Sequence, residues 1–385
     1  MKKPLEGIRV LDLGQGVAAP YCGLLMAQYG AEVIKVEPLN GDWMRGLGKN
    51  WNGQTAYSIS YNLGKKGIAV DLKKEKGINL ILKIAKTCDV VLENFRPGVV
   101  DRLGIGFNDI KAVNDKVLYV SVSGFGQTGR YNDRPGSDGV LQAFSGLVSI
   151  NKDKDGFPHR VGTTVIDSLT GLCTFQATSM ALFGGVTKAQ FLDISLLQSA
   201  GVLLMPNIAD FYLSQGPAMA LNPPAGTYKT KDGYICILPY TNKQWLNFFD
   251  IINKKNFKTD KRFSNIEARS RAINFLYKLI ENNVKNKTNK QLCKLLKKND
   301  IPHGVVNTLS SLKKDKHLKK VNFFRKVKHP SEGNLLIPDT GIKINNKSLP
   351  IRKHQPNLGE NGKQILKEIG YGETEIKKIL DLNKK

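Results

Sequence analysis

The chain has 385 residues, 41% of them hydrophobic, and a formal net charge of +25. That leaves room for two domains and a substantial core, while no run approaches the roughly 18 uninterrupted apolar residues of a membrane span. Five scattered cysteines (Cys22, Cys88, Cys173, Cys236, Cys293), without CxxC spacing, exclude a disulfide framework and a zinc site. Met1-Lys2-Lys3 leads into a strand rather than a signal peptide's apolar core, so a globular cytoplasmic protein is expected.

Short β-branched runs at 8–13 (IRVLDL), 31–37 (AEVIKVE), 68–72 (IAVDL), 89–94 (DVVLEN) and 117–123 (VLYVSVS) predict strands. Helix-like segments at 21–30 and 76–87 lie between them, the alternation of a Rossmann-like parallel α/β sheet filling a large domain over 1–212. Between Arg160 and Ala200 an apolar run (Val161, Val165, Ile166) passes into a helix of small residues, followed by the strand FLDISL and another helix. A Gly- and Pro-rich stretch at 213–226 reads as a linker. Residues 227–330 predict a smaller α+β domain that opens on the strand pair TYKTKDGYICIL. Residues 331–385 form a return segment ending in two helices, KQILKEIG and ETEIKKILDL.

The charge is uneven: residues 231–330 hold 24 basic and 7 acidic residues, a local net of +17. Most lie on helix-like stretches such as 286–300, where Leu292, Leu295 and Leu296 mark the inner face, so a solvated lysine-rich surface is expected. No zinc finger, aromatic RNA-binding motif or Gly/Arg tail accompanies it, so no nucleic-acid partner is expected. A basic field still suits a polyanionic ligand.

Two segments bear on chemistry. Asp167 stands where the apolar run turns into a helix, as either a covalent nucleophile or a helix N-cap shared with Ser168. By itself this segment favours the cap. Gly14-Gln15-Gly16-Val17-Ala18-Ala19 follows a strand and Glu37 ends the next, the layout of a dinucleotide fingerprint and of an NAD-dependent oxidoreductase. Pro20 and the absence of a later nicotinamide-side catalytic pair weigh against it.

Six elements in order (PLEGIRVLDLGQGVAAPYCG, GAEVIKVEP, KKGIAVDLK, DVVLENFRPGVVDRLG, VLYVSVSGFGQTG, RPGSD), with weaker matches at 222–237, 301–307 and 358–371, resemble the family III CoA-transferases. That family includes formyl-CoA transferase, carnitine CoA-transferases and α-methylacyl-CoA racemases. The resemblance implies an interlocked homodimer whose tail returns to the large domain. It also implies no permanently bound cofactor, with an acyl-CoA and a small carboxylic acid as substrates. Asp167 becomes the nucleophile. The carried-over CoA contacts are Val17, Ala18, Val70, Asp71, Leu72, Lys73, Asn94, Phe95, Arg96 and Arg102, with Ser137 and Asp138 beside them. Taken singly, Phe95 reads as core, Arg102 as a surface partner of Asp101 or Glu93, and Asp138 as a turn residue.

Gly16, Leu47, Tyr57 and Gly226 fall on the substrate side, with Trp43 nearby. Gly16, Val17 and Ala18 are candidate oxyanion donors, and Pro224, Ala225 and Gly226 align with a closing loop but lack its glycine run. Ser137 stands where the racemase branch has a titrating histidine, which favours transfer over racemisation. Pro38 stands where formyl-CoA transferase has an arginine, so one nucleotide contact is expected to be lost or replaced. Leu47 replaces a tryptophan of the oxalate-using branch, so formate/oxalate exchange is not expected.

Overall fold

Residues 3–153, 155–216, 226–349 and 354–382 are described by a computed structural model. Six strands, β1 (Arg9–Asp12), β2 (Glu32–Glu37), β3 (Lys66–Ala69), β4 (Val90–Glu93), β5 (Leu118–Ser123) and β6 (Gln190–Ser195), form one parallel sheet in the order β3-β2-β1-β4-β5-β6. Their Val, Ile and Leu side chains are buried on both faces, as parallel strands covered by helices require. The chain winds outward from β1 to β3, then restarts beside β1 at β4. At that reversal the loops following β1 and β4 diverge and open a crevice at the carboxyl edge. β3 ends at Ala69, short of the expected Leu72. Val70 N–H still donates to Glu37 O, but Asp71 then turns the chain by accepting from Lys73 N–H through its side chain.

Nine helices accompany this sheet among the residues up to 203: α1 (Ala18–Gln28), α2 (Ala56–Asn62), α3 (Glu75–Ala85), α4 (Val99–Leu103), α5 (Phe107–Val113), α6 (Asp138–Phe144), α7 (Leu147–Ile150), α8 (Val165–Gly184) and α9 (Leu196–Leu203). On one face Leu80, Ile81 and Ile84 of α3 share a core with Ile365, Leu366, Ile369 and Ile376 of the C-terminal helices Gly362–Glu368 and Glu373–Leu382. On the other, Cys22 and Met26 of α1 pack with Ile166 of α8 and Leu196 and Ala200 of α9. Thr170, Thr174 and Thr178 form a fully buried stripe on α8, and Thr170 and Thr174 donate to carbonyls four residues back at 2.8 and 2.7 Å. Gly171 lets α1 approach: a Cβ there would lie 2.8 Å from Ala18 O.

The chain divides into two compact units, Met1–Met205 with Asn322–Lys385, and Pro206–Val321. In the second, β7 (Gly226–Thr230), β8 (Gly233–Ile237) and β9 (His303–Val305) form an antiparallel sheet. Trp245, Phe248, Phe249, Leu276, Ile280, Leu292 and Leu296 fill its core, while Leu295 is only half-buried. Residues 217–225, most of the expected linker, lie outside the described residues. Among the described residues no helix is long and apolar enough to cross a membrane.

Candidate active site

The loop after β1 is held by side chains. Asp12 Oδ1 accepts from Gly14 N–H at 3.0 Å, Asn94 Oδ1 from Gln15 N–H at 2.7 Å, and Asp42 from Gly16 N–H at 3.1 Å. Asn94 also donates back to Gln15 O at 2.7 Å, bridging β1 and β4 across the crevice. Beneath the loop, Lys65 Nζ donates to Asp12 at 2.7 Å, Pro20 O and Asn62. Lys35 Nζ donates to Gly14 O and pairs with Asp42 at 3.4 Å. Burial pulls the Lys35 ammonium down, but Asp12, Asp42 and Glu37 outweigh it and hold it above the ordinary lysine value. Burial lowers Lys65 in spite of Asp12.

This bonding corrects one expectation and removes one alternative. Gly16 cannot serve as an oxyanion donor, because its N–H is already given to Asp42. The loop is no dinucleotide cradle either: its glycine N–H groups are spent internally, and Glu37, the would-be ribose acid, is buried against Arg45 at 2.7 Å. Burial raises the Glu37 carboxyl, but Arg45 and Lys35 bring it below the ordinary value. The open donors come next. α1 has Val17 at its N-cap with no side-chain cap, and among the described residues the N–H groups of Val17 and Ala18 have no partner.

At α8 the capping position belongs to Thr164, and Asp167 is the third helical residue, so neither Asp167 nor Ser168 is the N-cap. The cap comes from another helix. Asp138, buried at the start of α6, accepts from Ile166 N–H at 2.7 Å and Asp167 N–H at 3.1 Å through Oδ2. Its Oδ1 accepts from Gln142 Nε2 at 2.6 Å, and Gln142 Oε1 accepts from Val161 N–H at 2.9 Å. Asp138 is thus far more than a turn residue. Because it satisfies the helix's orphan donors, the half-buried Asp167 carboxylate accepts no hydrogen bond from any described residue. Burial, then the Asp138 charge, pushes the Asp167 carboxyl up to about 7.

Asp167 opens into a cavity of about 340 Å³. Val17 and Ala18 line it from α1, Asn94, Phe95 and Arg96 from the end of β4, and Ser137 from the start of α6. Phe95 also packs against the core, so it does both jobs. Gly16 lies behind Trp43. Val70 and Asp71 line a different groove of about 880 Å³ with Lys74, Tyr371 and Lys378, near Leu72 and the exposed Lys73. β3 stands three strand spacings, about 14 Å, from β4. Arg102 is exposed on α4 and pairs with neither Asp101 nor Glu93. Leu47 is exposed after a 3₁₀ turn, Tyr57 stacks on Tyr61 at 6.4 Å, and neither lines the cavity. Gly226 opens β7, and Pro224 and Ala225 lie outside the described residues.

Sequence reasoning gave no role to Arg134 or Asn132, and took Glu93 only as a surface partner for Arg102. Arg134 lines the cavity and stacks on Tyr131, Phe144 and Phe125 at 5.4–5.9 Å. Its signal was the RPGSD string in which it sits. Glu93 is buried under the Asn94–Arg96 loop and accepts from Phe95 N–H at 2.7 Å; burial raises its carboxyl to about 7.

A doubly wound sheet with a carboxylate facing a crevice at its switch point defines the ligand site of an open α/β-sheet protein. The chain belongs to CoA-transferase family III, whose profile matches residues 5–362. It is 33% identical to succinyl-CoA:glutarate CoA-transferase of Mus musculus, over 98% of this chain and 89% of that protein. It is 29% identical to formyl-CoA:oxalate CoA-transferase of Rhodopseudomonas palustris, over 99% of this chain and 97% of the other. Among solved structures, a CaiB/BaiF family protein from Brucella suis superposes with a TM-score of 0.84 at 27% identity, covering 96% of this chain and all of that one.

Proposed function

We propose that this CoA-transferase moves CoA from an acyl-CoA to a carboxylic acid through covalent intermediates on Asp167. The observation that carries the reading is the Asp167 carboxylate itself, open to the cavity, poorly solvated and bonded to no donor. An Asp167 oxygen attacks the thioester carbonyl; the C–S bond breaks, giving an aspartyl–acyl anhydride and CoA thiolate. The thiolate attacks the aspartyl carbonyl and expels the donor acid, leaving an enzyme–CoA thioester. The acceptor carboxylate attacks that thioester carbonyl, re-forming an anhydride and thiolate. The thiolate then takes the new acyl group and frees Asp167. The N–H groups of Val17 and Ala18, at the positive end of α1, are suited to the oxyanion of each step.

Dicarboxylic acyl groups are the favoured substrate class. The succinyl-CoA:glutarate relative supports it, and Arg96 and Arg134 supply cations at the cavity. The racemase alternative is weaker, because Ser137 and no histidine lines the cavity among the described residues. A homodimer belongs to the same reading: Leu172, Met180 and Phe183 of α8 and Val202 of α9 are exposed, an apolar face of the kind an interface covers. The test is a trapped adduct. Enzyme incubated with succinyl-CoA and then hydroxylamine should carry a hydroxamate at Asp167, read by peptide mass spectrometry. Modification elsewhere, or none during active turnover, refutes the mechanism.

A further inference from the structure

We propose that Glu93, Ser121 and Gln127 are positioning residues for CoA, a strut behind the sheet edge that sets the Phe95–Arg96 wall of the cavity without lining it. The inference rests on the reading of the Asn94–Arg96 loop as a CoA contact.

Three side chains stand in one row at the carboxyl edge. Glu93 on β4 pairs in register with Ser121 on β5, and Ser121 with Asp193 on β6. Successive strand residues alternate faces, so Ser121 points away from the side on which Val122 lines the cavity. Gln127, in the turn after β5, joins the row together. Its Nε2 donates to Ser121 Oγ at 2.8 Å and its N–H to Asp193 Oδ2 at 3.0 Å. Its carbonyl oxygen accepts from Asn132 Nδ2 at 3.2 Å, and Asn132 lines the cavity. At the other end Glu93 accepts from Phe95 N–H at 2.7 Å, and Phe95 and Arg96 line the same cavity. Two of its walls are thus tied together from behind. The turn is itself fixed: Gly126 N–H donates to Ser123 Oγ at 3.0 Å, and Gly124 meets Gly136 so closely that a Cβ would lie 3.0 Å from the Gly136 Cα.

The strut needs an anion at its end. Ser121 Oγ receives the Gln127 amide proton, which leaves the serine's own hydrogen for Glu93. Glu93 then has to accept from both Ser121 and Phe95. Burial raises the Glu93 carboxyl to about 7, against the Ser121 hydroxyl and the Phe95 N–H, which favour the ion. Asp101 of α4 and Asp193 of β6 add to the rise, and Tyr119 of β5 lies in the same field. Protonation turns one carboxyl oxygen into a donor. As pH falls through about 7 the row therefore loses an acceptor, and the Phe95–Arg96 wall loses its tie to Gln127.

The experiment is calorimetric titration of CoA into wild type, Glu93→Gln, Gln127→Leu, the double variant and Arg96→Ala, at pH 6 and pH 8. Glu93→Gln is neutral at both. Its Kd should exceed that of wild type roughly fivefold at pH 8, the equivalent of one hydrogen bond, and agree with it within about twofold at pH 6. CoA and Asp167 titrate alike in both proteins, so the ratio isolates Glu93. Gln127→Leu should weaken binding by a similar factor at pH 8, and the double variant no more than either alone, because both act through one chain of bonds. Equal weakening by Glu93→Gln at both pH values, or factors that multiply in the double variant, would overturn the proposal and leave Glu93 a local packing residue. If Arg96→Ala leaves Kd unchanged, the loop is no CoA contact and that reading falls, taking the strut with it. If Arg96→Ala weakens binding and Glu93→Gln does not, the strut alone falls.

Discussion

Behind the Gly14–Gly16 loop every buried charge has a partner: Lys65 on Asp12 at 2.7 Å, Lys35 on Asp42 at 3.4 Å, Arg45 on Glu37 at 2.7 Å. At the start of α8, on the same cavity, two carboxylates sit together, and neither forms an ion pair with any described residue. Asp138 is spent on three hydrogen bonds, and Asp167 is left with none. The first cluster is compensated in the way a frame must be, since an uncompensated buried charge costs several kcal/mol. The second keeps one anion under-solvated beside a like charge, which makes it more basic, as the proposed attack by Asp167 requires. One region spends its electrostatics on shape and the other on reactivity.

The sharpest way to break that contrast is Asp167→Asn. Exchange should drop by on the order of 10⁴-fold or more in a progress curve taken before deamidation can restore the acid, while the fold persists. Stability should move the opposite way. Asp167 rises from 3.8 to about 7 on folding, so the contribution of its protonated form is full below pH 3.8 and lost as pH climbs through about 7. The Asn variant avoids that loss. Allowing for the carboxyl's partial exposure, it should gain on the order of 1–2 kcal/mol at pH 8 and nothing at pH 3, read by urea unfolding.

Lys65→Met tests the compensated cluster. Leaving Asp12 unpaired should cost about 3–5 kcal/mol, and Asp12→Asn added to it should restore much of the loss. No restoration would mean that Lys65 acts through packing alone. Arg102→Ala should raise KM for acyl-CoA by roughly 10–100-fold, the equivalent of losing one charged hydrogen bond, without changing kcat. An unmoved KM would remove Arg102 from the CoA site.

The smallest change is Asp138→Asn. Its amide oxygen can still accept from the α8 N–H groups. Its amide nitrogen meets the Gln142 Nε2 donor and gives up that bond, and the like charge is gone. In wild type, kcat/KM should rise with pH through about 7 as Asp167 ionises; in this variant that limb should shift to lower pH, with less than about a tenfold loss near neutrality. An unshifted limb would assign the wild-type profile to another group, Glu93 being the first to examine.

The strands were readable because parallel strands buried on both faces are continuous β-branched runs. Asp167 was readable as a candidate, though its apparent role as a cap was not its structural role. What escaped has a common cause: partners far apart in the chain. Lys65 meets Asp12 across 53 residues, Asp138 reaches the α8 N–H groups across 28 and 29, and Tyr371 shares a groove with Val70. No local period records such pairings. The Gly16 loop illustrates the converse error: its motif was intact in sequence, but the motif does not show that Asp42 claims the N–H.

The threonine stripe and Gly171 carry a mechanical consequence. α1 and α8 meet close to backbone contact at Gly171, where an added Cβ would lie 2.8 Å from Ala18 O, and Tyr21 packs against the same spot. They therefore form one packed plate, which carries both the Asp167 carboxylate and the N–H groups of Val17 and Ala18, to which no described residue gives a partner. Their spacing is set before any substrate arrives. The 3₁₀ turn with Trp43 and the Asn94–Arg96 loop are tied to the neighbouring Gly14–Gly16 loop through Asp42 and Asn94, so the crevice in front of the plate is framed by bonded parts as well.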